Sequence, residues 1–307
     1  MKAVFMGSGD IGVPVLRWLA GAPGVELTGV VTQPDRPAGR GLQLKPCAIK
    51  EVAMDFGVPV LQPERVRSEE AVAAIAAWRP DVLVVMAYGQ ILPQKLLEVP
   101  TIGALNLHAS ILPRHRGAAP VHAAILAGDS KSGLTVMWMD AGLDTGDILL
   151  IKECDLAPEE TAGTLHDKLA AMAPEALSEA IDLIRAGRAP RIRQDDSLST
   201  YAPKLTRSLG EIDWSKSADE ILRTIRGLHP WPGCTATLEL ETGKRVVLKI
   251  HRADVATAPA DPAHLRFPCG GGGVLQLLEV QPSGGKRMTA QDFARGHKVV
   301  RAVQSGA

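Results

Sequence analysis

Residues 2–31 read KAVFMGSGDIGVPVLRWLAGAPGVELTGVV, and their patterning sets the fold class. Residues 2–6 are an apolar run that stops at Gly7. Residues 13–20 space their apolar side chains along one face of a helix, and residues 25–31 are rich in β-branched side chains. Strand, tight turn, helix and strand within about 30 residues form the unit from which parallel sheets are built, because a parallel neighbour needs a long crossover. Outward from this unit, residues 81–86 (DVLVVM) and 104–107 (ALNL) are further apolar runs with little polar alternation, and residues 69–78 read as a helix. Strands covered on both faces have that texture. The expectation is an α/β fold, a mostly parallel sheet with helices on both faces. Residues 135–139 and 147–151 are expected to follow as a hairpin-like pair around the turn at 140–146. A long helix is then expected at 161–186, where Leu165, Leu169, Met172, Leu177, Ile181 and Ile184 recur at helical spacing.

The chain has 307 residues, long enough for a second core. Residues 187–205 are polar, carry two prolines and read as a linker. Beyond it, residues 217–226 read as a helix, and residues 234–240, 245–250 and 273–280 as short strands with glycine-rich turns, which suggests a small β-barrel. The expected domains are therefore 1–186, a linker at 187–205, and 206–307. Charge divides along the same line. Lys and Arg number 34, as do Asp and Glu, yet residues 1–203 hold 19 basic and 24 acidic side chains while residues 204–307 hold 15 and 10. A basic second module fits a polyanionic partner, although scattered surface charge explains the same numbers.

With 46% hydrophobic and 22% charged residues, the composition excludes a disordered or collagen-like chain. No apolar run reaches the roughly 18 to 20 residues that a membrane span needs. The N-terminus runs straight into strand-like sequence, without the anatomy of a signal peptide. Cys47, Cys154, Cys234 and Cys269 are far apart and form no CxxC pair, so neither a disulfide framework nor a zinc site is indicated. A reducing, cytoplasmic setting is expected.

Two segments invite a chemical reading. Gly7-Ser8-Gly9-Asp10-Ile11-Gly12 fits the GxGxxG pattern of a dinucleotide-binding turn. The second strand, however, ends in Thr32-Gln33-Pro34 rather than in an acid that would bind a ribose, so a tight turn without a ligand is the better reading of the glycines. The second segment is residues 104–147. Asn106 and His108 alternate at the carboxyl end of an apolar strand and so point to one face. Asp144 sits in a glycine-flanked turn, Gly142 to Gly146, that can come over that strand end. An amide that donates to a developing oxyanion, beside an imidazole and a carboxylate that manage protons, suits acyl transfer to an amine.

The string NLHASILPRHRGAAPVHAAILAGD (residues 106–129), followed by GLDTGD (142–147), closely resembles the folate-dependent formyltransferases. Outside that core, TQPDRPAGRG (32–41), VVMAYGQILP (84–93), YAPKL (201–205), IDW (212–214) and HPWPG (229–233) resemble the members that act on a charged tRNA. The resemblance runs from residue 1 to about residue 296. It implies a Rossmann-like domain followed by an OB-like β-barrel, with 10-formyltetrahydrofolate as formyl donor and the amine of initiator methionyl-tRNA as acceptor. No metal and no membrane are implied, and the chain is expected to act as a monomer.

By the same resemblance, Asn106, His108 and Asp144 form the catalytic trio, and Ser110, Ile111, Leu112 and Pro113 form part of the folate site. His115 is at most a wall of that site. The loop at 33–50 carries Arg36, Arg40, Lys45 and Lys50 against the single acid Asp35, and its glycines and prolines predict irregular structure. In the family this loop enters the tRNA acceptor stem, which makes Arg36, Arg40 and Lys45 candidate RNA contacts. Lys204, Arg207, Lys244, Arg245, Lys249, Lys286, Arg287, Lys298 and Arg301 are candidate phosphate contacts of the second module. Three rivals are weighed: a formyltransferase acting on a nucleotide-linked amino sugar or glycinamide ribonucleotide, a dinucleotide oxidoreductase built on residues 7–12, and a pure RNA-binding module with an inactive Rossmann-like domain, which the intact trio disfavours.

Overall fold

The N-terminal apolar run is buried as its texture demands: Ala3, Val4, Phe5 and Met6 have no exposed surface in the computed structural model, which describes residues 1–38 and 43–304. They lie in β1 (Lys2–Gly7), an interior strand of a seven-stranded sheet. The other strands of this half are β2 (Glu26–Val31), β3 (Arg36–Ala38), β4 (Gln43–Lys45), β5 (Val60–Leu61), β6 (Val82–Met86), β7 (Gly103–His108), β8 (Arg116–Gly117), β9 (Lys131–Trp138), β10 (Ile148–Asp155) and β11 (Tyr201–Ala202). The sheet runs β10-β9-β7-β6-β1-β2-β5, with β7, β6, β1, β2 and β5 parallel and the β9–β10 hairpin added antiparallel to β7. From β1 the chain winds outward through β2 to β5, then returns to the opposite side of β1 for β6 and β7. Such a reversal leaves the carboxyl ends of the strands open for a ligand.

Helices α1 (Val13–Gly21), α2 (Ala48–Asp55), α3 (Glu69–Ala77), α4 (Gln94–Leu97), α5 (Pro120–Ala127) and α6 (Ala162–Arg185) complete the first part of the chain. Ser68 starts α3 by accepting from the Ala71 amide, the ordinary way to satisfy one orphan donor of a first turn. The glycine turn after β1 is built for close approach. A Cβ on Gly7 would lie 2.6 Å from the Phe5 ring and 2.8 Å from the Met86 carbonyl oxygen. The Ser8 and Gly9 amides both donate to the Ala87 carbonyl, at 3.1 and 3.2 Å. These are the amides a pyrophosphate would need, and the protein itself occupies them.

The chain folds into a unit of residues 1–120, 131–155 and 166–203, and a unit of residues 121–130, 156–165 and 204–307. The polar stretch expected as a linker therefore belongs to the first unit as far as residue 203. Ile192 exchanges two backbone hydrogen bonds with Ile148, at 2.8 and 3.0 Å, and β11 pairs in parallel with β8. The β9–β10 hairpin is longer than expected, eight residues in each strand.

The second unit holds α7 (Ala218–Gly227), α8 (Ala290–Gly296), β12 (Cys234–Leu240), β13 (Arg245–Val255), β14 (Arg266–Pro268), β15 (Val274–Pro282), β16 (Met288–Thr289) and β17 (Val299–Val303). The strands form an antiparallel OB-like sheet in the order β14-β15-β13-β12-β17, with β16 on β15. Alternation in β12 sends Cys234, Ala236, Leu238 and Leu240 inward against Ile221 and Ile225 of α7 and Phe267 and Phe293. Trp214 meets Phe267 edge to face, 5.2 Å between ring centres. A capping box between Ser217 and Glu220 fixes the start of α7. The last strand, β17, and helix α8 were not evident in the sequence.

Candidate active site

The side chains of Asn106 and His108 leave the carboxyl end of β7 two residues apart, on one face of the sheet. Asp144 arrives from the turn after β9. Asp140 ties that turn together: its Oδ1 accepts from the Gly142 amide at 3.0 Å and from Thr145 Oγ1 at 2.8 Å. Gly146 cannot be replaced without moving backbone, since a Cβ there would fall 1.7 Å from the Trp138 carbonyl oxygen. Asp144 itself has φ +55°, a left-handed conformation that Asp accepts more readily than most side chains.

The three groups meet. Asn106 Nδ2 lies 3.4 Å from Asp144 Oδ1, and His108 Nδ1 lies 3.7 Å from Asp144 Oδ2. The Gly117 amide donates to the same Oδ2 at 2.8 Å. On the far side of the ring, His108 Nε2 is 2.9 Å from the His115 carbonyl oxygen. A carbonyl only accepts, so Nε2 carries a proton and Nδ1 is the nitrogen left to gain or lose one against Asp144. His108 is 6% exposed and the Asp144 side chain 13%, so little water competes for that proton. A donor amide beside an imidazole and a carboxylate can stabilise an oxyanion and relay a proton between two nitrogens.

The stretch expected to face the folate alternates in role. Ser110 is fully buried, its hydroxyl donates to the Arg114 carbonyl at 2.7 Å, and its own carbonyl accepts from Thr135 Oγ1 at 2.7 Å. The same Thr135 oxygen accepts from the Leu112 amide at 3.1 Å, and the Leu112 side chain packs with Met137 and Ile148. Ser110 and Leu112 thus shape the loop from inside, while Ile111 and Pro113 keep exposed surface. His115 acts through its main chain, since its carbonyl holds His108 and its amide donates to Thr200 Oγ1 at 2.8 Å. Sequence reasoning missed the Gly117 amide and the His115 carbonyl, for no side-chain pattern marks a backbone group. It also missed Gln194, whose amide donates to the Asp144 turn, and Arg116, which holds Gln194.

Among the described residues of the basic segment at 33–50, two three-residue strands stand where its prolines and glycines suggested irregular structure. β3 and β4 pair antiparallel, and Arg36 stands directly opposite Lys45. Both are exposed, and neither makes an ion pair among the described residues. Two cations facing each other across a ladder repel unless an anion lies over them. Lys50 behaves differently: it reaches Asp35 Oδ2 at 2.6 Å, and this bond, with one from Gln62, holds the Asp35 carboxyl below the usual carboxylate range. Arg40 lies outside the described residues. In the second unit, Arg287 pairs with Glu279, Lys298 with Glu241 and Arg301 with Glu239, which leaves Lys204, Arg207, Lys244, Arg245, Lys249 and Lys286 without an ion pair among the described residues. Among the described residues, no group of three or more metal-ligating side chains occurs and no helix is long and apolar enough to cross a membrane.

The formyl transferase family model matches residues 1–181, and the model of the formyl transferase C-terminal domain matches residues 204–298. The chain is 42% identical over 314 residues to the methionyl-tRNA formyltransferase of Geobacter metallireducens, covering 100% of this chain and 99% of that one. It is 45% identical over 307 residues to the methionyl-tRNA formyltransferase of Symbiobacterium thermophilum, covering 96% and 92%. Among solved structures, the sugar 3N-formyl transferase WlaRD, crystallised with dTDP and 5-N-formyl-THF, superposes with a TM-score of 0.65 at 16% identity, covering 92% of this chain and 97% of that one. HypX from Aquifex aeolicus superposes with a TM-score of 0.62 at 14% identity, covering 95% and 48%. The last two likenesses are of fold.

Proposed function

The chain belongs to the formyl transferase family, and on that premise we propose that it moves the formyl group of 10-formyltetrahydrofolate onto the free α-amine of initiator methionyl-tRNA. The products are N-formylmethionyl-tRNA and tetrahydrofolate, and the enzyme acts as a cytoplasmic monomer. The observation that carries the acceptor is the likeness to methionyl-tRNA formyltransferases over the whole chain, where the sugar enzyme shares only the fold.

In the reaction the amine lone pair attacks the formyl carbon, and a carbon–nitrogen bond forms. The carbonyl oxygen takes the negative charge of the tetrahedral intermediate. The bond from that carbon to N10 of the folate then breaks, and one proton passes from the amine to N10. Asn106 Nδ2 donates to the oxygen as charge develops. His108 Nδ1 and the Asp144 carboxylate beside it receive the amine proton and return it to N10. Ile111 and Pro113 offer the folate its apolar contact. Arg36, Arg40 and Lys45 meet the acceptor end of the RNA, and the unpaired cations of the second unit supply further phosphate contacts.

The test is whether release of tetrahydrofolate requires a free amine on the RNA. Methionyl-tRNA is expected to drive stoichiometric release, while uncharged tRNA and methionyl-tRNA with an acetylated amine drive none. Equal release with all three would overturn the reading.

A further inference from the structure

Gln194 is 6% exposed, yet it comes from a stretch with the composition of a linker. Every hydrogen-bonding position of its amide is filled. Nε2 donates to the Asp144 carbonyl at 2.9 Å and to the Gly146 carbonyl at 2.7 Å. Oε1 accepts from Arg116 Nε at 3.1 Å and Nη2 at 2.8 Å. Arg116 also reaches Asp196 Oδ1 at 2.7 Å. The next residue after Arg116 is Gly117, whose amide holds the Asp144 carboxylate.

These contacts close a ring. Asp144 is held by its carboxylate through Gly117 and by its main chain through Gln194, and both arms hang on the two residues of β8. We propose that Gln194 is a positioning residue that sets the Asp144 carboxylate between Asn106 and His108 and acts on formyl transfer only through it. The left-handed backbone at Asp144 needs such a hold, because an L residue keeps that conformation only where its surroundings fix it. The carboxylate also faces two partners at once, at 3.4 and 3.7 Å, so a small retreat loses both.

The activity readout rests on the formyl-transfer reading above. Gln194→Glu keeps the volume and the acceptors for Arg116 but cannot donate, and it sets a carboxylate oxygen against two carbonyls. It is expected to lower kcat by a factor on the order of 10², the scale of a small misplacement at a catalytic group, with the KM for 10-formyltetrahydrofolate within about twofold of wild type. Combined with Asp144→Asn, it should slow the enzyme no further, within about twofold, because the group it positions is already disabled. Losses that multiply, or a folded Gln194→Glu enzyme with wild-type kcat, overturn the proposal. If Gln194→Glu does not fold, Gln194→Asn, which pulls the amide back by one methylene, carries the same cycle. A second measurement needs no turnover. Hydrogen exchange at the Gly117 amide should accelerate by about tenfold or more in the variant as the carboxylate withdraws, and unchanged exchange contradicts the proposal whatever the substrate proves to be.

Discussion

On the proposed function, Asp144 is the residue on which the chemistry turns, since its carboxylate faces Asn106, His108 and the Gly117 amide together. Asp144→Asn keeps the size and loses the charge. It should leave the fold intact and cut kcat by on the order of 10² or more, the usual scale for a positioned acid–base group. Steady-state kinetics on a variant shown by circular dichroism to be folded decide this, and near-wild-type turnover would remove Asp144 from the mechanism. Asn106→Ala separates a different role. An oxyanion donor meets charge that exists only in the transition state, so kcat should fall by roughly 10²–10³ with little change in the folate KM. A rise confined to that KM would make Asn106 a ground-state contact. That these three side chains come together was expected from the alternation at a strand end and the glycine-flanked turn, taken with the resemblance of the whole string to the family. The Gly117 amide, the His115 carbonyl and Gln194 were not. Two are backbone groups, and the third reaches its partners across roughly 50 and 78 positions of chain, beyond any local pattern.

At the scale of elements, the β3–β4 hairpin carries the clearest electrostatic statement. Arg36 and Lys45 face each other, so removing one relieves repulsion in the free protein and loses a contact in the complex. Lys45→Ala should therefore leave the melting temperature unchanged or slightly raised. It should also raise the KM for methionyl-tRNA, flatten the salt dependence of tRNA binding by about one unit of slope, and leave the folate KM alone. A fall in melting temperature with unchanged tRNA kinetics would show the hairpin to be structural only. Strands β1, β2, β6 and β7 were read from their apolar runs and the long helix α6 from its helical spacing, while the two-residue β5 was not read. The hairpin escaped because its strands are three residues each, with Pro37 inside one, and paired ends outweigh local propensity.

Across the whole molecule, the division of the chain is not the one that contiguous reading suggests. The second unit takes in residues 121–130 and 156–165 as well as 204–307, and Leu126 packs onto its core. Composition marks a linker but says nothing about segments borrowed from earlier in the chain. A fragment of residues 204–307 should accordingly unfold at a lower denaturant concentration than the same unit in the intact protein and bind more of a hydrophobic dye, as measured by chemical denaturation of both. Equal midpoints would show that the borrowed segments add nothing.

The identity of the acceptor is the central claim, and one competition measures it. The intact protein is given formyl-labelled 10-formyltetrahydrofolate with initiator methionyl-tRNA and a dTDP-linked amino sugar at equal concentration, and the label is followed into each. The account predicts that essentially all of it enters the amine of the methionyl-tRNA. Label accumulating on the sugar amine, with the RNA unmodified, would contradict it.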